Sequence, residues 1–360
     1  MNEETCIKQN PLAEVIEAMD IETFVKASVR TANPLPPLPL TNGALFIDNS
    51  VMSEWKQCPE QFKNRFLLNR TAAFEKPALN FGSGIHDALK WLERGFALES
   101  ALASMADHFV KVPQPPDDHR SPAHAEETIR RYIEHHKTDQ WKVLQTDKGP
   151  FVEFPFAYKL FDSWRDRDYD GKIDMPTQIP IFFCGKIDLA IEKGDGTKWI
   201  VDHKTTFQLG KMFSYEMKKS AQMRGYCWAF KKATGSLPSG YIVDAIRTNS
   251  EPKGVTNDCL LEDSDEPRKK WWREQFFREP FYIDQAEINE WELNTIAIIE
   301  QMLWHHSHGY FPQNDSWCVG KYGRCQFYDV CSLPVNQRPL MLQSNMFVED
   351  TWTPLNKPTL

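Results

Sequence analysis

IFFCGKIDLAIEKGDGTKWIVDHKTT, residues Ile181–Thr206, decides the fold. Two runs of strand-forming residues flank Lys193-Gly194-Asp195-Gly196, and a three-residue Gly194-Asp195-Gly196 loop with Gly196 left-handed is a common hairpin closure. That loop sets the register. Lys193 pairs with Thr197, Ala190 falls opposite Ile200, and Asp188 falls opposite Asp202, while Ile187, Leu189, Ile191, Trp199 and Val201 point to the other face. A two-residue turn would slip the register by one and separate the carboxylates. Like charges directly opposite each other are unfavourable unless something neutralises them, and a divalent cation would do so. Asp202 and Lys204 lie two apart on one strand, so their side chains emerge on the same face roughly 6–7 Å apart at the backbone, with room for a water between. A surface ion pair is the bland reading of an Asp-x-Lys triplet, and the triplet alone is weak evidence for chemistry.

The chain around the hairpin is that of an ordinary water-soluble protein. Its 360 residues, 41% of them hydrophobic, can bury a sizeable core. No run of about 18 apolar residues occurs, and MNEETCIKQN lacks the basic flank and apolar stretch of a secretion signal. These features predict a cytoplasmic protein. The formal net charge of -8 excludes a surface that is basic all over. Charge is nevertheless uneven: Lys211, Lys218, Lys219, Arg224, Lys231 and Lys232 face a single acid, Glu216, in a helical stretch just after the hairpin.

Residues 11–30 have helical spacing and the prolines of NPLPPLPL end it, so residues 1–40 read as an appendage and linker. A helix is predicted from Asn49, a long one from Gly82 to Phe109, and another over residues 123–145; Val152–Phe161 alternates as a strand. Residues Ser264–Gly309 read as strand then helix, and residues 334–360 as an extended tail.

The ordered set Gly82-Ser83-Gly84-Ile85-His86, Gly185-Lys186-Ile187-Asp188, Asp202-His203-Lys204 and Gln222-Met223-Arg224-Gly225-Tyr226 resembles the RecB-type nucleases of the PD-(D/E)XK superfamily, a group that includes AddB-like and CRISPR-adaptation exonucleases. The resemblance runs over roughly residues 45 to 333 and is far more specific than any one piece. It implies an α/β, mixed α+β fold: a restriction-endonuclease-like core with a central mixed sheet flanked by helices, a helical region and an iron-sulfur staple, together forming a nuclease domain over residues 41–333. It implies that His86, Asp188 and Asp202 are side-chain ligands of Mg2+ or Mn2+, with the main-chain carbonyl of His203 completing the set. Lys204 would orient or help deprotonate the attacking water. Gln222 and Tyr226, one helical turn apart on the same face, would reach the site or the strand being cut. Glu153 is a weaker candidate for orienting a ligand or the lysine.

Eight cysteines in a chain without secretion features suggest metal rather than disulfides. Cys58 stands ahead of the core, and Cys318, Cys325 and Cys331 follow it with C-x6-C-x5-C spacing. The resemblance implies that these four hold a 4Fe-4S cluster; the wide first gap leaves a structural zinc as the main rival and unlinked buried cysteines as the other alternative. Cys6, Cys184, Cys227 and Cys259 are scattered and default to packed or surface residues. Asp166–Asp174 imitates the start of a calcium loop, but Thr177 stands where a bidentate Glu is needed, which favours a polar loop. Trp271, Trp272, Phe276 and Phe277 beside Arg268, Lys269, Lys270 and Arg273 fit either a base-stacking patch or an ordinary packed cluster.

The activity expected from the resemblance is metal-dependent DNA hydrolysis, most simply by an exonuclease on single strands or duplex ends, in recombination, repair or DNA processing, with room for a helicase or recombinase partner and no membrane. A structure-specific endonuclease and a non-catalytic DNA-binding protein are the alternatives; the complete acid, acid and lysine set speaks against the second.

Overall fold

The hairpin closes as its loop chemistry requires. In the computed structural model, Lys193 N–H donates to Thr197 O at 2.9 Å, Gly196 N–H donates to Lys193 O at 2.9 Å, and Gly196 has φ 78°. The structure describes residues 38–73, 77–110, 119–147, 149–165, 177–249, 266–320 and 323–353. The calcium-like Asp166–Asp174 loop and the appendage, apart from residues 38–40, lie outside them.

Seven strands form one mixed sheet: β1 (Leu45–Ile47), β2 (Lys142–Val143), β3 (Val152–Arg165), β4 (Thr177–Glu192), β5 (Lys198–Thr206), β6 (Gly240–Arg247) and β7 (Phe276–Tyr282). The path is β1-β4-β5-β6-β7, with β2 and β3 pairing along the other edge of β4. β1 runs parallel to β4 through Ile47↔Phe183, and β5 pairs with β4 antiparallel only from Leu189↔Val201 to Glu192↔Lys198. Between those two pairings, the edge of β4 at residues 184–188 carries no strand. β5 instead continues against β6, parallel from Trp199↔Gly240 to Thr206↔Arg247. The sheet therefore splits where Asp188 and Asp202 stand. The expected register holds in the paired part, with Ala190 opposite Ile200, and the ladder ends one pair short of the two aspartates.

Helices cover both faces. α1 (Asn49–Gln57), α6 (Ala221–Thr234) and α8 (Gln285–His308) enclose the main core around Ile181, Phe183, Ile200 and Val243. α2 (Pro77–Glu93), α3 (Leu98–Val110) and α4 (Pro122–His136) pack with Ile246 and Phe276 in a second core on the other side. α8 begins with a reciprocal capping box, Asp284 with Glu287, and ends at left-handed Gly309. α6 begins at Ser220, whose hydroxyl accepts from Met223 N–H. α5 (Lys211–Lys218) precedes it and α7 (Glu266–Arg273) precedes β7.

Several expectations change. The long helix over Gly82–Phe109 is two helices, broken at Gly95 with φ 83°, and the segment over residues 123–145 leaves the helix after His136 to form β2. The basic stretch after the hairpin is two helices, because the Ser220 cap starts a new one. Residues Ser264–Gly309 begin with α7, ahead of the strand and helix expected there. Ile187 does not join Leu189, Ile191, Trp199 and Val201; it packs in the main core with Ala190 and Ile200. Glu153, on β3 between the pairs Val152↔Leu189 and Phe154↔Ile187, has φ 49°, and this left-handed residue breaks the alternation of faces there. The tail is not extended: Arg338–Leu342 is helical and Phe347–Glu349 pairs with Arg70–Ala72, with Phe347 buried against Phe327. The mixed α/β class, a central mixed sheet with flanking helices, is as expected.

Candidate active site

Two close approaches bring α2 and α6 to the split in the sheet. A Cβ on Gly82 would meet Thr205 Oγ1 at 2.8 Å, so only glycine lets α2 lie this near β5. His86, one turn further on, then stands beside Asp188, with Nδ1 3.5 Å from Oδ2. A Cβ on Gly225 would meet Trp291 at 2.8 Å and Phe183 at 2.9 Å; its absence seats α6 on the sheet and turns Gln222 and Tyr226 toward β5.

The polar side chains form one chain of contacts. Asp188 Oδ2 accepts from the main-chain N–H of His203 at 3.1 Å, replacing the strand-to-strand bond that the splayed ladder lacks. Asp202 is 1% exposed; its Oδ2 lies 2.8 Å from Lys204 Nζ, and its Oδ1 has no hydrogen-bond partner among the described residues. Lys204 Nζ donates to Gln222 Oε1 at 3.0 Å, and Gln222 Nε2 donates to Tyr226 Oη at 2.9 Å. The structure thus brings together His86, Asp188, Asp202, Lys204, Gln222 and Tyr226. Glu153 pairs with Lys186 at 3.4 Å.

Protonation follows from burial and the two acids. Burial and the Asp202 charge push the Asp188 carboxyl up, to about 7. Burial lowers His86, helped by His203 and Lys204, so its imidazole is neutral at neutral pH and keeps a lone pair for a ligand. Burial alone would lower Lys204, but Asp202 and Asp188 outweigh it and hold the ammonium above its ordinary value. Burial and the same two carboxylates hold the Tyr226 phenol high, so it stays a donor.

These residues fit a hard divalent cation: a deeply buried carboxylate with an orphaned oxygen, a second acid made reluctant to ionise by the first, and a neutral imidazole. Among the described residues no three His, Cys, Asp or Glu side chains are already drawn together as a metal-holding group. The ion pair with Lys204 engages one of the Asp202 oxygens instead.

A charged cluster that sequence reasoning missed lies on the other face of β5. His203 Nδ1 stands 3.5 Å from Asp244 Oδ2, which also accepts from Tyr132 Oη at 2.5 Å and lies 2.7 Å from Arg278 Nη2. Asp244 is wholly buried, and despite that its carboxyl is held far below the usual range by His203 and Arg278. An acid in the middle of GYIVDAIR was the available signal: an unpaired Asp does not belong in an apolar strand.

Cys58, Cys318, Cys325 and Cys331 line one cavity, and all four are free thiols. The six-residue gap is taken up by a hairpin, Val319–Gly320 with Gly323–Arg324, which returns Cys325 N–H to Cys318 O at 2.9 Å. Cys184 and Cys227 are buried in the main body, and Cys6 and Cys259 lie outside the described residues. Trp272 and Phe276 are core residues of the α2–α4 cluster, which settles that aromatic group as packing. No described helix is long and apolar enough to cross a membrane.

The family described as the PD-(D/E)XK nuclease superfamily matches this chain over residues 50–332. No curated protein matches. Among solved structures, the one described as "Crystal structure of SSO0001" is similar at 11% identity, over 80% of this chain and 95% of its own, with a TM-score of 0.23, too loose an overlap to carry an argument.

Proposed function

This chain belongs to the PD-(D/E)XK nuclease superfamily, and on that premise we propose that it is a RecB-type, Mg2+- or Mn2+-dependent deoxyribonuclease acting as an exonuclease on single-stranded DNA or duplex ends. The observation that carries the reading is the half-buried Asp188 and buried Asp202 at the split in the sheet, with Lys204 beside Asp202. His86, Asp188, Asp202 and the main-chain carbonyl of His203 would hold the cation. Bound there, the cation would polarise a phosphate oxygen and lower the pKa of a water. Lys204, kept charged by both acids, orients the water or the phosphate, and Gln222 fixes the lysine. Tyr226 remains protonated; its oxygen accepts from Gln222 Nε2, and its hydroxyl donates to the strand being cut.

A 4Fe-4S cluster on Cys58, Cys318, Cys325 and Cys331 belongs to the same proposal. Four free thiols on one cavity support it, two of them from a hairpin that joins the end of the domain to its start. Brown protein with a visible sulfur-to-iron band is expected; colourless protein with stoichiometric zinc after anaerobic purification would replace the cluster with zinc. Residues 41–333 are proposed as the nuclease domain, placed in a reducing cytoplasm and free to work with a helicase or recombinase.

The test uses end-labelled single and double strands and closed circular single-stranded DNA, each with Mg2+, Mn2+ or chelator. Degradation of linear strands with survival of the circle is expected. Cleavage of the circle would make the protein an endonuclease, and cleavage in chelator would remove the metal from the account.

A further inference from the structure

Residues 205–221 leave the acid-lysine cluster and return to it, because Lys204 Nζ before them is bonded to Gln222 Oε1 after them at 3.0 Å. The excursion is anchored on one side. Phe213 and Met217, one turn apart on α5, pack with Leu209 on the main core, and Tyr241 Oη donates to the carbonyls of Met217 and Lys218 at 3.1 and 3.3 Å. α5 nevertheless buries no residue fully.

Its outer side is unusual in composition. Lys211, Tyr215 and Lys218 follow i, i+4, i+7 spacing, and Met212 and Lys219 flank them on the same exposed side. Tyr215 is 63% exposed, Met212 75%, and Phe207, at the start of the excursion, 66%. None of the three lysines forms an ion pair among the described residues. By contrast, cations further along have structural partners: Arg224 lies 3.5 Å from Glu287, and Lys232 lies over Trp228.

We propose that Phe207, Met212 and Tyr215 with Lys211, Lys218 and Lys219 form a platform that takes an unpaired DNA strand and feeds it to the adjacent acids. The lysines meet phosphates. The rings give successive bases a stacking face, which a base offers only when it is out of a duplex. A protein partner fits less well, since lysine is depleted from the cores of protein interfaces, whereas three lysines against one Glu216 complement a phosphate chain. A duplex would use the lysines and leave the rings idle. The platform rests on the nuclease reading of the neighbouring site and narrows its substrate to single strands.

The experiment measures fluorescence anisotropy of the full-length protein with short labelled oligothymidylate, the same strand with abasic positions, and a blunt duplex, all in chelator so that binding is read apart from cleavage. Replacing both Phe207 and Tyr215 by Ala is expected to weaken binding of the unpaired strand about tenfold or more, as loss of base stacking does, with Tyr215→Trp retaining affinity. Duplex and abasic affinities stay as in the unchanged protein. Changing Lys211, Lys218 and Lys219 together to Gln lowers the logarithmic salt slope by about 2. Equal loss on all three ligands, or no loss on the unpaired strand, overturns the platform. Selective loss of single-strand binding in a protein that cleaves no DNA with Mg2+ or Mn2+ overturns the nuclease reading and leaves the platform standing.

Discussion

The two faces of β5 handle buried charge in opposite ways. Behind the strand, Asp244 meets a guanidinium, an imidazole and a phenol, all at Oδ2, and its carboxyl is held far down. In front, Asp202 pairs with Lys204, and burial together with the Asp202 charge pushes Asp188 up to about 7. Asp202 and Asp244 are both buried, one on each face, so burial alone does not separate the two faces. Compensation does: Asp244 also has one oxygen without a hydrogen bond, yet its charge is balanced, whereas the front pair carries more negative charge than the fold answers. A buried acid that the protein balances is structural; a pair left in deficit is a place for a cation.

The largest expected effect separates the faces by activity. Asp202→Ala should lower metal-dependent cleavage by at least about 10^3-fold while DNA binding in chelator persists, since loss of the proposed metal ligand would remove several kcal/mol of transition-state stabilisation. Cleavage that survives in this variant would leave the front acids without a part in the reaction.

The back face should answer in stability instead. Asp244→Ala leaves His203 buried without its counter-charge and Arg278 with Asp139 alone, at a cost of about 3–5 kcal/mol by chemical denaturation. The sign with pH is set by the lowered carboxyl: the contribution is present above its unfolded value near pH 4 and is lost as pH falls below it. A loss under about 1 kcal/mol would mean that the cluster is not a unit.

Asp188→Asn should do the reverse in metal-free protein. With the folded carboxyl raised to about 7, its contribution to stability is full below about pH 4 and is lost as pH rises through about 7. The variant should therefore match the unchanged protein at pH 4 and exceed it by roughly 1–3 kcal/mol at pH 8, with Mn2+ narrowing the gap by stabilising the unchanged protein more than the variant. A smaller change tests the lysine: Lys204→Gln removes one neighbour that lowers Asp188, so the upper end of that stability change should move to higher pH.

How much of this could be read from the residues depends on how local the determinant is. The hairpin register was readable because a left-handed Gly196 specifies the turn, and the turn specifies every pair up to Leu189↔Val201. The splitting of the sheet beyond that pair was not, since it arises from β5 choosing β6, a strand far along the chain that reads only as an apolar run. The partners of Asp244 come from α4 and β7 and share no spacing rule with it. The break at Gly95 and the return of the tail to Arg70–Ala72 were hidden for the same reason: periodicity reports the face of an element, and tertiary pairing decides where it stops. His86, Asp188, Asp202, Lys204, Gln222 and Tyr226 were found together only as an ordered set, because no one of them has a distinctive neighbourhood in the chain.

The central claim, that the charge deficit in front of β5 is a cation site, is tested most directly by calorimetric titration of Mn2+ into metal-free protein near pH 6 in two buffers of different ionisation enthalpy. Binding at one site with release of about one proton, absent in Asp202→Ala and proton-free in Asp188→Asn, is the predicted result. No binding, or binding that both variants leave unchanged, would contradict it.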